Sequence, residues 1–179
     1  MLKSGKTVLI VIDVQGKLAN LMHGKDAFLQ NLQKTIRGLR ALGIPILWAE
    51  QNPAGLGPTV PEVAELLSGI APIGKMSFSC CQHEPFMRAL KAAGRSQVLI
   101  AGIETHVCVY QTAMDLIEAD YDVEVVADAV ASRTPENKEL GLQKMRDAGV
   151  GLTSMETALF ELLRVAEGAQ FKEILKIVK

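Results

Sequence analysis

Three residues of this chain could do covalent chemistry together: a cysteine at the start of a helix, an acid closing the first strand and a lysine beside a glycine. Cys108 stands in Thr105-His106-Val107-Cys108-Val109. A thiol in the first turn of a helix meets exposed backbone N–H groups and the positive end of the macrodipole, which favour the nucleophilic thiolate. Asp13 closes the run Val8-Leu9-Ile10-Val11-Ile12 and could take the thiol proton. A nearby cation would lower the thiol pKa further, and Lys75 stands at the end of a strand beside Gly74, which suggests a tight approach. His106 is a poorer base for Cys108, because residues two apart on a helix point to different sides. Each residue has an ordinary alternative: Cys108 as a small buried hydrophobe, Asp13 as a turn cap, Lys75 as a solvated surface lysine. Their convergence on one crevice is what lifts the three above those ordinary readings.

That convergence requires a particular set of elements. Thr7–Asp13 is a continuous β-branched and Leu run, the pattern of a strand buried on both faces. Lys25–Leu42 carries apolar residues at helical spacing and ends at Gly43. Further strands are expected at Ile44–Ala49, Ile73–Met76, Gln97–Ala101, Asp122–Ala127 and Gly149–Thr153. Between them the pattern predicts helices over Pro61–Leu67, Glu84–Ala93 and Thr105–Ala119, and one opening at Thr134-Pro135-Glu136 with a capping Thr and Pro at N1. Two more helices, Met155–Ala166 and Ala169–Val178, close the chain. Strands alternating with helices give an α/β fold: a three-layer, doubly wound, Rossmann-like sheet of six parallel strands with helices on both faces, in a single domain spanning residues 1–179.

In such a sheet the ligand crevice lies beyond the carboxyl ends of the strands, where the strand order reverses. Asp13, Glu50, Lys75, Gly102–Cys108 and Asp128 stand at those ends. Asp128 and Arg133 are expected to form a structural pair or cap, and Cys80 and Cys81 to be packing residues. The sequence after the first strand, Asp13-Val14-Gln15-Gly16, is no dinucleotide fingerprint, and no phosphate-binding P-loop occurs anywhere.

Composition narrows the function classes. Nineteen Lys and Arg face twenty Asp and Glu, for a net charge of −1, so no polyanion is recruited by charge alone. Aromatics at 4% leave few stacking platforms for bases, which argues further against nucleic acid as a partner. The longest N-terminal apolar run is too short for a signal h-region or a membrane span. Three cysteines, two of them adjacent, suit a reducing, cytoplasmic compartment rather than a disulfide framework.

Val11-Ile12-Asp13-Val14-Gln15, the isolated Gly74-Lys75 and Ala101-Gly102-Ile103-Glu104-Thr105-His106-Val107-Cys108-Val109 resemble the three signature blocks of the isochorismatase-like cysteine hydrolases. Val125–Arg133, Glu50–Pro61 and Gln170–Ile174 extend the resemblance toward the isochorismatase domain-containing subgroup, over nearly the whole chain. The resemblance implies a triad of Asp13 as proton acceptor, Lys75 as supporting cation and Cys108 as nucleophile. It also implies an oxyanion hole from the backbone N–H groups of Glu104 and Cys108, with a cis peptide at Ile103–Glu104. Leu18, Gln51 and Phe78 are expected to line the substrate pocket. Family members with amidase activity attack a carboxamide, release ammonia and hydrolyse a thioester. Nicotinamidases of the superfamily hold a metal through an Asp-x-His pair after the second strand; here that place reads Glu50-Gln51-Asn52, so no metal is expected, and no cofactor. The expected partners are a small-molecule substrate and further copies of the chain. Two other readings remain at this point: vinyl-ether hydrolysis with Asp13 as general acid, and a catalytically idle scaffold that binds a protein partner.

Overall fold

The computed structural model describes residues Met1–Lys179. In chain order the elements are β1 (Thr7–Ile12), α1 (Gly16–Asn20), α2 (Lys25–Ala41), β2 (Ile46–Gln51), α3 (Pro53–Leu56), α4 (Pro61–Ala64), β3 (Ile73–Lys75), α5 (Glu84–Ala92), β4 (Gln97–Ile103), α6 (Tyr110–Glu118), β5 (Asp122–Ala131), α7 (Pro135–Asp147), β6 (Gly151–Thr153), α8 (Met155–Leu163) and α9 (Gly168–Val178). The six strands form one parallel sheet in the order β3-β2-β1-β4-β5-β6. The order reverses between β1 and β4, so the crevice of this doubly wound sheet opens beside the ends of those two strands.

Side-chain alternation along β1 supplies two cores. Leu9 and Val11 join the cluster under α2, α8 and α9, while Val8, Ile10 and Ile12 join the cluster under α5, α6 and α7. Every residue of β1 and β4 is buried. That dry double burial is why these strands read as unbroken apolar runs, and it makes their ends a rigid support for side chains at the crevice.

Several boundaries differ from the sequence expectation, each for a local reason. The second strand starts at Ile46, because the Ile44 N–H still closes the end of α2 on the Leu39 carbonyl, and it runs on to Gln51. β5 extends to Ala131 through a register break: Ile100 pairs with Val125, but Gly102 pairs with Val130. The polar Asp128 sits inside that irregularity, which is why the pattern read as a strand end. α8 stops at Leu163, where Arg164 takes a left-handed φ of 69°. The Pro/Gly-rich segment after β2 contains the short helix α3, and α1 follows Gln15; neither was evident from apolar spacing. Thr134 caps α7 as expected, its Oγ1 accepting the Asn137 N–H at 3.2 Å. No helix is long and apolar enough to cross a membrane.

Two glycines let backbone approach backbone near the crevice. At Gly102, with φ 121°, a Cβ would lie 2.1 Å from the Ile12 carbonyl oxygen. At Gly141 on α7, a Cβ would lie 2.9 Å from the His106 Cα and 3.0 Å from its N. α7 therefore presses directly on the turn that carries Cys108. Gly141→Ala is expected to lower unfolding free energy by about 1–3 kcal/mol in urea denaturation, through overpacking against backbone that cannot yield. A loss below about 0.5 kcal/mol, the range of an indifferent surface substitution, would contradict this packing.

Candidate active site

Asp13 is the first residue past β1, and its backbone adopts the left-handed region with φ 54°. Asp tolerates that region better than most residues. The turn breaks the in–out alternation of the strand, while the Asp13 N–H still bonds the Ala49 carbonyl of β2 at 3.1 Å. The carboxylate is thereby held across the end of the sheet.

Lys75 reaches it from β3, two strands away, with β2 between them. Two inter-strand spacings of roughly 4.8 Å separate those backbones, a gap that only a long, flexible side chain can close. The ammonium lies 2.7 Å from Asp13 Oδ2, and both side chains are essentially sealed from solvent, at 0% and 2% exposure. It also donates to Gln51 Oε1 at 2.9 Å, Phe78 O at 3.0 Å and Ser77 O at 3.2 Å. An ammonium has three N–H donors, so these four acceptors exhaust it. Lys75 has no donor left for the sulfur or for a substrate, and it acts on Cys108 through space only.

The other Asp13 oxygen, Oδ1, is buried and has no hydrogen-bond partner with closed geometry. Besides Lys75, the Cys108 thiol and the Gln51 backbone act on that carboxylate. A buried acceptor without a donor is costly, by about 1–3 kcal/mol, unless something approaches it during function. Burial pushes the Asp13 carboxyl above the ordinary carboxylate range, and Lys75 pulls it back down. The result is a stronger base than a surface Asp, held in one orientation.

Cys108 lies in a turn of π-helix, Thr105–Val109, that precedes α6. The Glu104 carbonyl accepts from both the Val107 and Val109 N–H groups as the chain leaves β4. A single regular helix over Thr105–Ala119 is therefore not what forms. The low thiol pKa expected from a helix start is also overturned. Burial, and then the Asp13 charge, push the Cys108 thiol up to about 12, with Lys75 only partly opposing them. Cys81 is pushed up to about 11 by burial and by Asp115, and the fully buried Cys80 is raised as well. The resting state is thus a thiol facing a carboxylate, rather than a preformed thiolate.

The Ile103–Glu104 peptide is cis. The Glu104 carboxylate is held by Arg133, accepting its backbone N–H at 3.2 Å and its Nε–H at 3.0 Å. Arg133 and Asp128 are consequently not a pair, since Asp128 Oδ1 instead caps α8 by accepting the Met155 N–H at 2.8 Å. His106 turns away from the sulfur to Ser132, its Nδ1 lying 2.9 Å from that hydroxyl.

Of the expected pocket residues, Gln51 is engaged at both ends of its amide: Oε1 takes Lys75, and Nε2 donates to the Met76 carbonyl at 2.8 Å. It belongs to the lysine's shell rather than to a free wall. Leu18 on α1 packs half-buried on the larger core, and Phe78 stands half-exposed. A cavity of about 420 Å3 opens beside Lys75, lined also by Pro53, Gly74, Met76, Ser77, Gln82 and His83. Glu50, at the end of β2, is a structural tie, its Oε1 accepting both the N–H and the hydroxyl of Thr59. Gln15, to which no role was assigned from sequence, is fully buried and joins Gln51 to Gly57 with three side-chain hydrogen bonds. Its position two residues after Asp13, in a loop that must be tied down, was the available signal. No cluster of three or more His, Cys, Asp or Glu is placed to hold a metal ion.

The family model for the isochorismatase domain matches residues 7–157. The chain belongs to the isochorismatase-like hydrolase family. Isochorismatase domain-containing protein 2 of Danio rerio is 37% identical over 173 residues, covering 96% of this chain and 86% of that protein. A structure titled MAR1 ribonuclease from Caenorhabditis elegans superposes with TM-score 0.92 at 35% identity, covering 99% of this chain and 91% of that one. Two YcaC structures are similar to it as well. The one from Pseudomonas aeruginosa, described with hexane-2,5-diol and covalent acrylamide, gives TM-score 0.92 at 27% identity over 98% and 90% of the chains. The one from Escherichia coli, described as an octameric hydrolase of unknown specificity, gives 0.93 at 26% over 98% and 88%.

The geometry makes opposite-signed predictions for two substitutions. Asp13 raises the Cys108 pKa and Lys75 lowers it. Asp13→Asn should therefore shift iodoacetamide labelling of Cys108 to lower pH, and Lys75→Met should shift it to higher pH, as read by peptide mapping across pH 7–11. Shifts of the same sign in both variants would show that the two groups do not act on the sulfur separately.

Proposed function

We propose that the protein is a cysteine-dependent hydrolase of a small carboxamide or related acyl compound, working through a thioester on Cys108 and needing no metal or other cofactor. The observation that carries this reading is the division of labour at Asp13: Oδ2 is pinned by Lys75, Oδ1 is left unpartnered, and the same carboxylate acts on the Cys108 thiol. In the first half-reaction the thiol proton passes to Asp13 as sulfur bonds to the carbonyl carbon. The oxyanion is received by the backbone N–H groups of Glu104 and Cys108. Asp13 then gives its proton to the departing nitrogen as the C–N bond breaks and ammonia leaves. In the second half, water attacks the thioester, Asp13 takes its proton, and the proton returns to sulfur as the acid departs. Lys75 keeps Asp13 oriented and ionised between these transfers.

The raised thiol pKa is compatible with this scheme because proton transfer and attack occur together, so no standing thiolate is required. The covalent acrylamide in the P. aeruginosa YcaC structure supports a nucleophilic reading for this group of proteins. A ribonuclease reading, taken from the C. elegans relative, finds less support here, since the net charge is −1. We also propose that the chain forms a homo-oligomer in the cytoplasm. The octameric E. coli neighbour supports assembly, as do Leu21, Met76 and Phe78, which stand 62%, 72% and 54% exposed.

The mechanism is tested by screening amides and acyl compounds with intact-mass detection of an adduct, then assaying variants on the substrate found. Cys108→Ala and Asp13→Asn should each lower kcat/KM by a factor of at least about 1,000 in folded protein. Substantial turnover by Cys108→Ala, with Asp13→Asn still inactive, would point to acid-catalysed vinyl-ether cleavage instead. Light scattering at micromolar concentration should give a mass above the 19.3 kDa protomer. A monomer would remove the assembly claim.

A further inference from the structure

Glu104 opens the turn that carries Cys108, and the charges that act on the sulfur include this residue from the end of β4, Asp13 from the end of β1 and Lys75 from β3. Two of these three are anionic. The cation is fully engaged by Asp13 and its other acceptors, so it does not neutralise Glu104, the second anion acting on a sulfur that must gain negative charge. Nothing else on the turn corrects this: His106 is tied to Ser132, and Lys144, on the neighbouring α7, sits 4.7 Å over the Tyr110 ring. Arg133 does correct it. Its backbone N–H and its Nε–H both converge on Glu104 Oε1, and the Glu104 side chain is only 10% exposed while that of Arg133 is 55% exposed.

The route by which Arg133 arrives there is built into the sheet. Between the pairs Ile100–Val125 and Gly102–Val130, β4 advances two residues while β5 advances five. That looped-out excess brings Ala131 opposite Ile103, so Ser132 and Arg133, the two residues that follow β5, reach the Glu104 end of β4.

We propose that Arg133 is a positioning residue for the nucleophile: it holds the Glu104 carboxylate in one place and compensates its charge, so that Cys108 sulfur can become anionic as it attacks. This rests on the reading of Cys108 as nucleophile. Arg suits the task because its planar fork supplies directed donors together with a permanent charge. Arg133 bonds Glu104, and its influence on the sulfur runs through that carboxylate.

The test is the pH profile of Cys108 alkylation by iodoacetamide, followed by peptide mapping, which needs no substrate. Arg133→Met should move the rise in labelling upward by about 0.5–1 pH unit, a roughly three- to tenfold lower rate at pH 8. Glu104→Gln should move it downward. The double variant Glu104→Gln/Arg133→Met should label at least as fast as the wild type, because the charge that needed compensation is gone. Arg133→Lys should recover part of the single-variant loss. Circular dichroism confirms that each variant is folded. An Arg133→Met profile that overlays the wild type, or a double variant as slow as Arg133→Met, would overturn the proposal. Failure of the nucleophile reading looks different: Cys108→Ala would keep turnover while this alkylation series still behaved as described.

Discussion

The buried ion pair between Lys75 and Asp13 is the interaction on which the rest of the site depends. Both charges have left water, and neither would be stable alone at that depth. Removing one partner of such a pair typically costs about 3–5 kcal/mol, because the other is left unpaired in a low-dielectric interior. The fold meets this demand by surrounding the ammonium with Gln51, Ser77 and Phe78 oxygens and by fixing Asp13 at a left-handed turn. Those supports are themselves anchored, since Gln15 holds Gln51 and Glu50 holds Thr59. The loop after β2 is thus part of the site even where it touches no reacting atom.

This arrangement reassigns the cation. A lysine near a cysteine suggests direct stabilisation of a thiolate, but a fully committed Lys75 stabilises the base instead. Under the proposed mechanism, attack relies on a desolvated carboxylate of raised basicity beside a neutral thiol, with the sulfur's developing charge opposed by Asp13 and Glu104 and favoured by Lys75 from a distance. Such a site is quiet at rest: a thiol kept protonated and only 7% exposed is protected from adventitious oxidation and alkylation.

Much of the scaffold was legible in the residues because parallel strands buried on both faces must be continuously apolar, as Val8–Ile12 and Val98–Ala101 are. The meeting of Asp13 and Lys75 was legible for a related reason: polar residues that interrupt such runs stand at strand ends, where a doubly wound sheet opens its crevice. What escaped the sequence depends on three-dimensional accounting. The thiol's protonation state follows from how many acceptors Lys75 satisfies, which no local spacing reveals. The Glu104–Arg133 pair depends on a register break in β5 that resembles a strand end in an apolar pattern. The engaged amide of Gln51 and the buried tie made by Gln15 are products of loop packing, where hydrophobic periodicity carries no information.

The central claim, that Cys108 rests as a thiol beside an Asp13 carboxylate already paired to Lys75, is open to direct observation. Infrared difference spectra of wild type minus Cys108→Ala isolate the S–H stretch of this one cysteine from those of Cys80 and Cys81. The account predicts an S–H band that persists through neutral pH and disappears only in strongly alkaline solution, in line with a thiol pushed up to about 12. Absence of that band at pH 7 would mean a preformed thiolate, and would contradict the assignment of the lysine to the acid rather than to the sulfur.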